Sequence, residues 1–466
     1  MASSRGGWHP RPHLCREHAR KSATRRPQIQ LSWTAVKRYP LSLCVLLLAG
    51  LSPLMSVHAD ENAGAKPPLL LKKGVRVVVT GDSITEGMCY SRYIDLYLTA
   101  CMPELEACVI HIGRSGATLG ALSVWTPLLL KPYKPDLVTA CFGMNDGAYA
   151  ASTPTLVKGY SGALKRAIEA LKDTGAAVII GSPGAVDSYY FKDLRSPHTP
   201  GEEAAVYNKT LGDLRDAARD AAAASQVRFA DIHSPMLSIM KQAKAERGEA
   251  YALCPDGIHP CPNGHLIMAY AFLKAMGVDG NIGTIAVDLN GAAEATEGHT
   301  VISSDKGVVQ LESTRYPFCF NNDATLPASN RSILPFLPFN QELNRFMLVV
   351  RNLKREKATV TWGTASRSFT RKELESGVNL SDAFAGTNPF KDNFNKADAA
   401  VSAKELYETQ IKSTFATVAT LLNEPENQSR VETLFNLLFV DGIKKKDADI
   451  RAILAPVKHT LTILPE

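Results

Sequence analysis

The chain has 466 residues, of which 45% are apolar and 21% are charged, a balance that is typical of a folded protein of two or three domains and excludes a largely disordered one. The formal net charge of +6 arises at the N-terminus, because residues 1–59 contain nine Lys or Arg against the single acid Glu17. The remaining chain is nearly neutral and has no basic stripe with interleaved aromatic residues, so its composition speaks against a nucleic-acid partner.

Residues 1–59 are predicted to be an N-terminal extension that ends in a signal peptide. Lys37 begins a short basic region, residues 41–55 form an apolar run, and residues 57–59 provide a cleavage site of the small-x-small type. We therefore expect cleavage before Asp60 and a secreted or periplasmic protein without stable membrane insertion. The alternative is an uncleaved anchor, although a spanning helix needs about 20 apolar residues and this run has only 15.

Seven cysteines follow the predicted cleavage site. Export permits disulfides, and Cys101 with Cys108, or Cys254 with Cys261, are close enough in sequence to form small rings. The alternative is that these residues are small buried thiols. No second Cys or His pair stands at zinc-finger spacing, so a zinc site is not expected.

Residues 60–285 show short β-branched runs that alternate with longer helical patterns, which is typical of βαβ units and a parallel sheet. The predicted strands lie at residues 75–80, 109–112, 137–142, 178–181 and 227–231. The clearest helical patterns lie at residues 155–172, 202–224 and 263–276. We predict a three-layer α/β/α domain with a five-stranded parallel sheet.

Two further regions follow this domain. Residues 286–400 contain alternating apolar and polar segments together with a stretch rich in Pro, Asn and Phe, and are predicted to be a small β-rich accessory unit. Residues 401–466 are predicted to be a helical C-terminal segment. This half of the chain either covers the site of the first domain or is an independent binding module. Its phenylalanines need a surface to pack against, which favours the first alternative.

The first candidate site is the turn Gly81-Asp82-Ser83, directly after the first predicted strand. A Ser that follows a strand and begins a helix lies at the carboxyl edge of the sheet, where open α/β sheets bind ligands. Its backbone N–H is at a helix N-terminus and can stabilise a developing oxyanion. The alternative is that Asp82 and Ser83 only cap the helix.

Asp256 and His259 share a loop rich in Gly and Pro before the last predicted helix of the domain. A carboxylate three residues before a His can bind the imidazole, select its tautomer and stabilise the imidazolium ion. Alone, this pattern also fits an ordinary surface turn. Together with Ser83, it indicates a nucleophile and its base.

Two further blocks follow neighbouring predicted strands. Asn145 has a side-chain amide that can donate to an oxyanion, and Gly116 lets a backbone N–H approach a reacting carbonyl group. Either segment alone would be interpreted as a plain turn. We expect Asp146, next to the amide, to hold its own loop in place rather than to react.

In chain order, the blocks Gly-Asp-Ser, Ser-Gly-x-Thr, Gly-x-Asn-Asp and Asp-x-x-His within residues 81–259 resemble those of the SGNH or GDSL-type hydrolases. The resemblance covers residues 74–278 and departs from the family pattern at Ile84, where the family has Leu. This apolar exchange affects no catalytic role. The resemblance implies the flavodoxin-like three-layer fold of these hydrolases.

The resemblance also implies an ester hydrolase that works through an acyl-enzyme, without a metal or an organic cofactor. Ser83 would be the nucleophile, His259 its general base, and Asp256 the residue that orients the base. The oxyanion hole would consist of the backbone N–H groups of Ser83 and Gly116 and the side-chain amide of Asn145.

Export, a nearly neutral body and the lack of a long apolar lid favour small acyl groups, such as acetyl, on a carbohydrate. The resemblance implies acetylated polysaccharide as the substrate, because secreted bacterial members of this family often resemble polysaccharide deacetylases. Tyr189, Tyr190 and Phe191 either form an aromatic platform for a sugar ring or pack beneath their loop. The alternatives are a lysophospholipase or general short-chain esterase and, in another class, a non-catalytic binding or scaffold protein.

Overall fold

The computed structural model describes residues 67–195, 198–320, 325–422 and 424–466. The predicted signal peptide and its cleavage site lie outside the described residues. Within the described part of the chain, no helix combines the length and the hydropathy that crossing a bilayer requires.

The first half of the described chain contains a five-stranded parallel sheet. Its strands are β1 Arg76–Gly81, β2 Cys108–Gly113, β3 Leu137–Cys141, β4 Ala177–Gly181 and β5 Arg228–Ala230. They lie side by side in the order β2-β1-β3-β4-β5, and every neighbouring pair is parallel. Because successive side chains of a strand point to opposite faces, Val77 and Val79 enter one core and Val78 enters the other.

Helices cover both faces of this sheet. They are α1 Ser83–Glu86, α2 Tyr90–Leu96, α3 Leu122–Trp125, α4 Pro154–Lys172, α5 Glu203–Ala224, α6 His233–Arg247 and α7 Pro262–Met276. Ile94 of α2 and Leu266 of α7 share a core with Val77, whereas Leu164 of α4 and Leu214 of α5 share the other core with Val78. The predicted three-layer α/β/α architecture is therefore confirmed.

Local sequence explains where these helices begin and end. Thr153 caps α4, because its side chain accepts the Leu156 N–H at 3.2 Å, and Pro154 occupies a first-turn position where no N–H is needed. Helix α7 also begins with a proline and is followed by Gly277, whose φ of +85° is left-handed. The predicted starts of α4, α5 and α7, at residues 155, 202 and 263, lie within one residue of the observed starts.

Two smaller sheets follow. Their strands are β6 Asn281–Asp288, β7 Ala293–Ala295, β8 His299–Asp305, β9 Val308–Ser313, β10 Arg345–Arg351, β11 Lys357–Trp362, β12 Ala365–Thr370, β13 Val378–Asn379 and β14 Val457–Pro465. One sheet has the order β13-β10-β6-β7 and the other β12-β11-β14-β9-β8. Strand β14 follows the C-terminal helices, so the prediction of a helical segment for residues 401–466 is wrong over this strand. It enters the middle of its sheet because His459, Leu461 and Ile463 alternate inward.

The C-terminal half also contributes helices. They are α8 Phe339–Glu342, α9 Arg371–Ser376, α10 Leu380–Ala383, α11 Lys391–Leu421, α12 Gln428–Phe435 and α13 Gly442–Ile453. Helix α11, with 31 residues, is about 46 Å long and packs against β2 and α2. Residues Pro67–Glu466 accordingly form one compact unit.

The phenylalanines of the accessory region pack against α2 and the turn that follows it. The ring of Phe318 lies 6.0 Å from that of Tyr93 and 6.3 Å from that of Tyr97, and Phe339 lies 6.4 Å from Tyr97. All of these side chains are buried. The partner surface that the sequence required for them is therefore a helix of the first domain.

The two disulfides considered from the sequence are not formed. Cys101, Cys108 and Cys254 are free thiols, so neither of the two proposed pairs forms a disulfide. Cys101 and Cys254 are fully buried, which agrees with the alternative of small buried thiols.

Helix α11 caps the outer edge of β2. An edge strand leaves backbone groups on one side without a neighbouring strand. Glu408 accepts the His111 N–H at 3.0 Å, and the Lys412 ammonium donates to the Gly113 carbonyl group. Side chains of one helix thus satisfy backbone groups that would otherwise face a dry interface without partners.

The buried side chain of Lys404 joins α11 to α2 and α13 through two ion pairs. The Nζ of Lys404 lies 2.7 Å from Asp95 Oδ2 on α2 and 2.6 Å from Asp447 Oδ1 on α13, and the three side chains are at most 6% exposed. Burial alone would lower the pKa of Lys404, but the two carboxylates outweigh it and raise this pKa well above its ordinary value. The ammonium therefore stays charged between two acids.

We expect Lys404→Met to lower the free energy of unfolding by about 3–5 kcal/mol, because the variant leaves two buried carboxylates without their cation. Chemical denaturation followed by circular dichroism measures this change. The matched control is Lys396→Met at an exposed position of α11, which should alter the free energy by less than about 0.5 kcal/mol. Equal stability of the two variants would contradict the role of this cation.

Candidate active site

Ser83 lies where β1 turns into α1, at the carboxyl edge of the parallel sheet. Asp82 caps α1, since its side chain accepts the Ile84 N–H at 2.9 Å. Gly81 permits the close turn, because a Cβ there would lie 2.6 Å from the Cys141 carbonyl oxygen. The cap uses the side chain of Asp82, which leaves the Ser83 hydroxyl for another partner.

Asp256, His259 and Ser83 form a continuous line of hydrogen bonds. The Nδ1 of His259 lies 2.7 Å from Asp256 Oδ2, and its Nε2 lies 2.9 Å from Ser83 Oγ. Because a carboxylate only accepts, Nδ1 carries the proton and Nε2 accepts from the Ser83 hydroxyl. Asp256 Oδ1 also accepts the backbone N–H groups of Ile258 and His259, at 2.9 and 2.7 Å. The turn itself therefore holds the carboxylate toward the imidazole.

The charges around His259 favour its protonated form. The hydrogen bond that His259 donates to Asp256 raises the pKa of His259 above its ordinary value, against the effect of burial, and the charges of Asp256 and Asp82 add to the rise. Burial alone would raise the pKa of Asp256, but its hydrogen bonds with His259 and Ile258 outweigh burial and lower that pKa. The pair is thus arranged to stabilise an imidazolium beside a carboxylate.

Two further acids lie near this line, the buried Asp82 and the half-buried Asp146. Burial raises the pKa of Asp82 to about 7, assisted by the charge of Asp146 and opposed by the Ile84 N–H and the charge of His259. Burial likewise raises the pKa of Asp146 to about 6, opposed by the Leu119 N–H. Asp146 accepts that N–H at 3.0 Å, so it ties its own loop to the loop after β2.

Gly116 and Asn145 lie on the two loops that flank the Ser83 turn, because β2 and β3 are the two neighbours of β1. The Nδ2 of Asn145 donates to the Ala117 carbonyl oxygen at 3.0 Å, which uses one of its two N–H groups. Gly116 has a left-handed φ of +71°, a conformation that glycine adopts at little cost. Hydrogen bonds thus join Ser83, His259 and Asp256 directly, and Asn145 bonds to the residue that follows Gly116.

Tyr149 belongs to the same region, although no motif indicated it. Its hydroxyl donates to Asn145 Oδ1 at 3.3 Å, so both ends of the Asn145 amide are engaged. Ala148 and Tyr149 have φ values of 54° and 53°, an uncommon conformation for residues with a Cβ. The ring of Tyr149 stacks on Tyr207 at 5.2 Å, and the Arg195 guanidinium lies 5.0 Å from its centre.

A buried ion pair supports the His259 turn from below. Asp187 lies 2.9 Å from Lys244, and both side chains are at most 3% exposed. Asp187 Oδ2 accepts the Leu253 N–H at 3.0 Å, and the Asp187 N–H donates to the Gly257 carbonyl oxygen at 2.8 Å. The sequence offered no signal for this pair, because its members lie in segments without a recognisable motif.

Comparisons with known proteins find relatives of the part of the chain that carries this site. Residues 79–267 match the model of the GDSL-like lipase/acylhydrolase family. An acetylxylan esterase from Geobacillus stearothermophilus is 24% identical over 227 residues, which cover 44% of this chain and 95% of the relative. A solved structure of an acetylxylan esterase from the same organism covers 45% of this chain and 97% of its own, with 22% identity and a TM-score of 0.36.

A second solved structure, of a gut microbial diltiazem-metabolizing enzyme, has a TM-score of 0.61 with 19% identity and covers 86% of this chain and 99% of its own. This similarity shows that the fold shared with that enzyme extends well beyond residues 79–267. The accessory sheets and helices therefore recur together with the α/β/α domain.

The α/β/α fold and the family match define a carboxylic ester hydrolase. Residues 79–267 match the model of the GDSL-like lipase/acylhydrolase family, so the SGNH or GDSL-type resemblance seen in the motifs is confirmed for this part of the chain.

We expect Asp256→Asn to lower the maximal rate of ester hydrolysis by about 10³- to 10⁴-fold, because an amide does not stabilise the imidazolium and permits the wrong tautomer. A general base must be neutral, so kcat/KM of the wild type should fall as the pH drops through a pKa above the ordinary value of 6.5 for His259. The variant loses the main cause of that raised pKa, and its acid limb should move to lower pH.

The measurement is the pH dependence of kcat/KM for the wild type and the variant on one small ester. Asp193→Asn, which changes an exposed acid of a nearby loop, is the control and should keep both rate and profile. An acid limb that stays in place in Asp256→Asn would show that the Asp256 carboxylate does not set the pKa of the base.

Proposed function

We propose that this protein is a secreted or periplasmic serine esterase that removes small acyl groups, above all acetyl, from carbohydrates. One observation carries the catalytic part of the proposal, namely the unbroken line of hydrogen bonds from Asp256 through His259 to the Ser83 hydroxyl. The membership of residues 79–267 in a family of acylhydrolases supports the same reaction.

The reaction begins when His259 Nε2 takes the proton of the Ser83 hydroxyl. The Ser83 oxygen attacks the ester carbonyl carbon, and the tetrahedral intermediate collapses to an acyl-enzyme as His259 returns the proton to the leaving alcohol. Water then repeats the sequence, with His259 again as base, and releases the carboxylic acid. Asp256 stays ionised throughout and stabilises the imidazolium in both halves.

The oxyanion of each intermediate is held by three donors in this proposal. They are the backbone N–H groups of Ser83 and Gly116 and the side-chain amide of Asn145. Contacts on both sides of the Asn145 amide, to Ala117 and Tyr149, favour a fixed orientation. Preorganised donors of this kind act without reorganisation at the moment of reaction, and one donor contributes about 10²- to 10³-fold in kcat.

The openness of the site favours a bulky substrate with a small acyl group. The side chains of His259 and Asp256 are 46% and 55% exposed, so a large molecule can approach the line of catalytic groups from solvent. A long acyl chain needs an apolar channel to leave water, and an open polar surface does not supply one. The acetylxylan esterase among the relatives supports acetyl as the acyl group and a polysaccharide as its carrier.

Tyr189 is proposed as the platform for a sugar ring beside His259. Its side chain is 50% exposed, and its loop adjoins the His259 turn through the Asp187–Gly257 bond. The neighbouring Phe191 is buried, with its Cα 2.5 Å from where a Cβ of Gly257 would lie. Of the two interpretations of this aromatic segment, Phe191 fits packing beneath the loop and Tyr189 fits the platform.

Secretion rests on the signal-like pattern of residues 37–59. The mature chain would begin at Asp60, shortly before the first described residue. N-terminal sequencing of the exported protein tests this part of the proposal independently of any activity.

We expect the chain from Asp60 onward to hydrolyse p-nitrophenyl acetate much faster than p-nitrophenyl palmitate, and Ser83→Ala to abolish both activities. Ser376→Ala, at an exposed position far along the chain, is the control and should keep full activity. A fluorophosphonate probe should label the wild type and the control but not Ser83→Ala. Activity that survives in Ser83→Ala would contradict the assignment of Ser83 as the nucleophile. Faster turnover of the palmitate ester would favour a lipid esterase. A wild type that shows neither labelling nor turnover would favour a binding protein.

We expect Tyr189→Ala to raise KM for acetylated xylo-oligosaccharides by about fivefold to tenfold, an effect of about 1 kcal/mol, while kinetics on p-nitrophenyl acetate stay unchanged. Tyr189→Phe keeps the ring face and should behave like the wild type on both substrates. Acetate release measured at several oligosaccharide concentrations gives KM. An equal rise of KM on both substrates, or an unchanged KM for the oligosaccharide, would contradict the proposal that Tyr189 binds a sugar ring.

A further inference from the structure

The loop after β2, which carries Gly116, has few internal contacts that would hold it in place. Arg114, Ser115 and Gly116 are all exposed. Within the loop, the Ala117 N–H donates to the Arg114 carbonyl oxygen at 3.2 Å, and the Arg114 N–H donates back to Gly81 at 3.0 Å. A donor on an exposed loop is preorganised only if neighbouring groups fix the loop.

Glu86, at the end of α1, fixes this loop through Ser115. Its Oε2 accepts the Ser115 N–H at 2.7 Å and also the Ser115 hydroxyl. Hydrogen bonds to an ionised carboxylate are stronger than those between neutral groups, so the charge of Glu86 matters. Burial alone would raise the pKa of Glu86, but the bonds from Ser115 and the charge of Lys412 outweigh burial and lower it.

Lys412 reaches the same place from α11. Its Nζ lies 3.5 Å from Glu86 Oε1 and donates to the Gly113 carbonyl group, and only 7% of its side chain is exposed. Gly113 also touches α1, since a Cβ there would lie 2.2 Å from the Glu86 backbone N. One ammonium thus contacts both the start of the loop and the carboxylate that holds it.

The contacts of Lys412 differ from those of Lys404 and Glu408, two other buried charges of α11. Lys404 bonds to Asp95 and Asp447, which belong to helices α2 and α13, and Glu408 bonds to the middle of β2. Lys412 alone among these three contacts a residue of α1, the helix that begins with Ser83. An apolar side chain would occupy this position at a lower desolvation cost, so the ammonium is explained by its bonds rather than by packing.

We propose that Lys412 is a positioning residue of the ester hydrolase: through Glu86 and Gly113 it holds the loop of residues 113–116 so that the Gly116 N–H faces the oxyanion. This inference rests on the proposed function, because it assigns a role to a residue behind the proposed oxyanion hole. It makes a helix of the C-terminal half part of the catalytic apparatus, without any contact to the substrate.

The test compares Lys412→Met, Glu86→Gln and the double variant in the chain from Asp60 onward, with Lys396→Met on the same helix as control. Rates on p-nitrophenyl acetate are normalised to active sites titrated with a fluorophosphonate. We expect Lys412→Met and Glu86→Gln each to lower kcat by about 10- to 100-fold with KM within about twofold, because the oxyanion contact forms only in the transition state. The double variant should be no slower than the slower single variant, since residues that act as a unit are not additive.

Inhibition by a small boronic acid separates positioning from a loss of stability. The boronate forms a tetrahedral adduct on Ser83 that occupies the oxyanion hole, so its inhibition constant should rise by the same factor as kcat falls. A purely structural role would lower the melting temperature and the fraction of active sites but leave the inhibition constant and the rate per active site unchanged. That result, or additive effects in the double variant, would overturn the inference.

If Lys412→Met does not fold, Glu86→Gln and Ser115→Ala carry the test, because they change the same contacts in a partly exposed region. Their kcat and boronate affinity should then fall together relative to Lys396→Met. Ser83→Ala separates this inference from the proposed function. Loss of activity in Ser83→Ala with wild-type kinetics in Lys412→Met would overturn only the positioning role, whereas an active Ser83→Ala would overturn the proposed function itself.

Discussion

The pairing of β1 with its two neighbours is the constraint on which the site depends. Gly81, the last residue of β1, pairs with Gly113 of β2 on one side and with Cys141 of β3 on the other. The three loops that follow therefore leave the sheet at one level, and Ser83 stands between the Gly116 loop and the Asn145 loop. A slip of one residue in either pairing would move a loop by about 3.3 Å, which is more than hydrogen-bond geometry tolerates.

This constraint is hardest to satisfy at β2, which has a neighbouring strand on one side only. Helix α11 supplies the other side with charged side chains, since Glu408 and Lys412 bond to backbone groups of the strand. Lys404 in turn fastens the helix between two buried acids. In the part of the chain that the structure describes, the C-terminal half packs with the first domain in one compact unit and completes the outer edge of the parallel sheet.

The His259 turn combines internal rigidity with external access. The buried pair of Asp187 and Lys244 holds the chain before the turn, and the carboxylate of Asp256 is held by two backbone N–H groups of its own turn. The imidazole nevertheless remains nearly half exposed. A base of fixed orientation at an open surface suits an ester that is carried by a large molecule, because the carrier need not enter a cavity.

Much of the fold and the site was predictable because it rests on local chemistry. β-Branched runs and helical periodicity indicated the five parallel strands and placed α4, α5 and α7, and the accessory β structure was visible as alternation. The turn at Ser83 and the Asp256–His259 pair were also readable, because each depends on residues at most three apart and on their backbone preferences. The order of the motifs then indicated which strand ends would meet.

The sequence by itself therefore determined the elements of the first domain and the chemistry of its loops. Only the tertiary structure decided which distant groups meet: Lys412 with Glu86, Asp187 with Lys244, and β14 with the strands on either side of it. A charged run such as residues 404–412 has the pattern of a solvated helix face, and its burial follows from the edge of β2 lying against it. Whether a buried charge is tolerated depends on the partner that packing brings to it, and no local pattern contains that information.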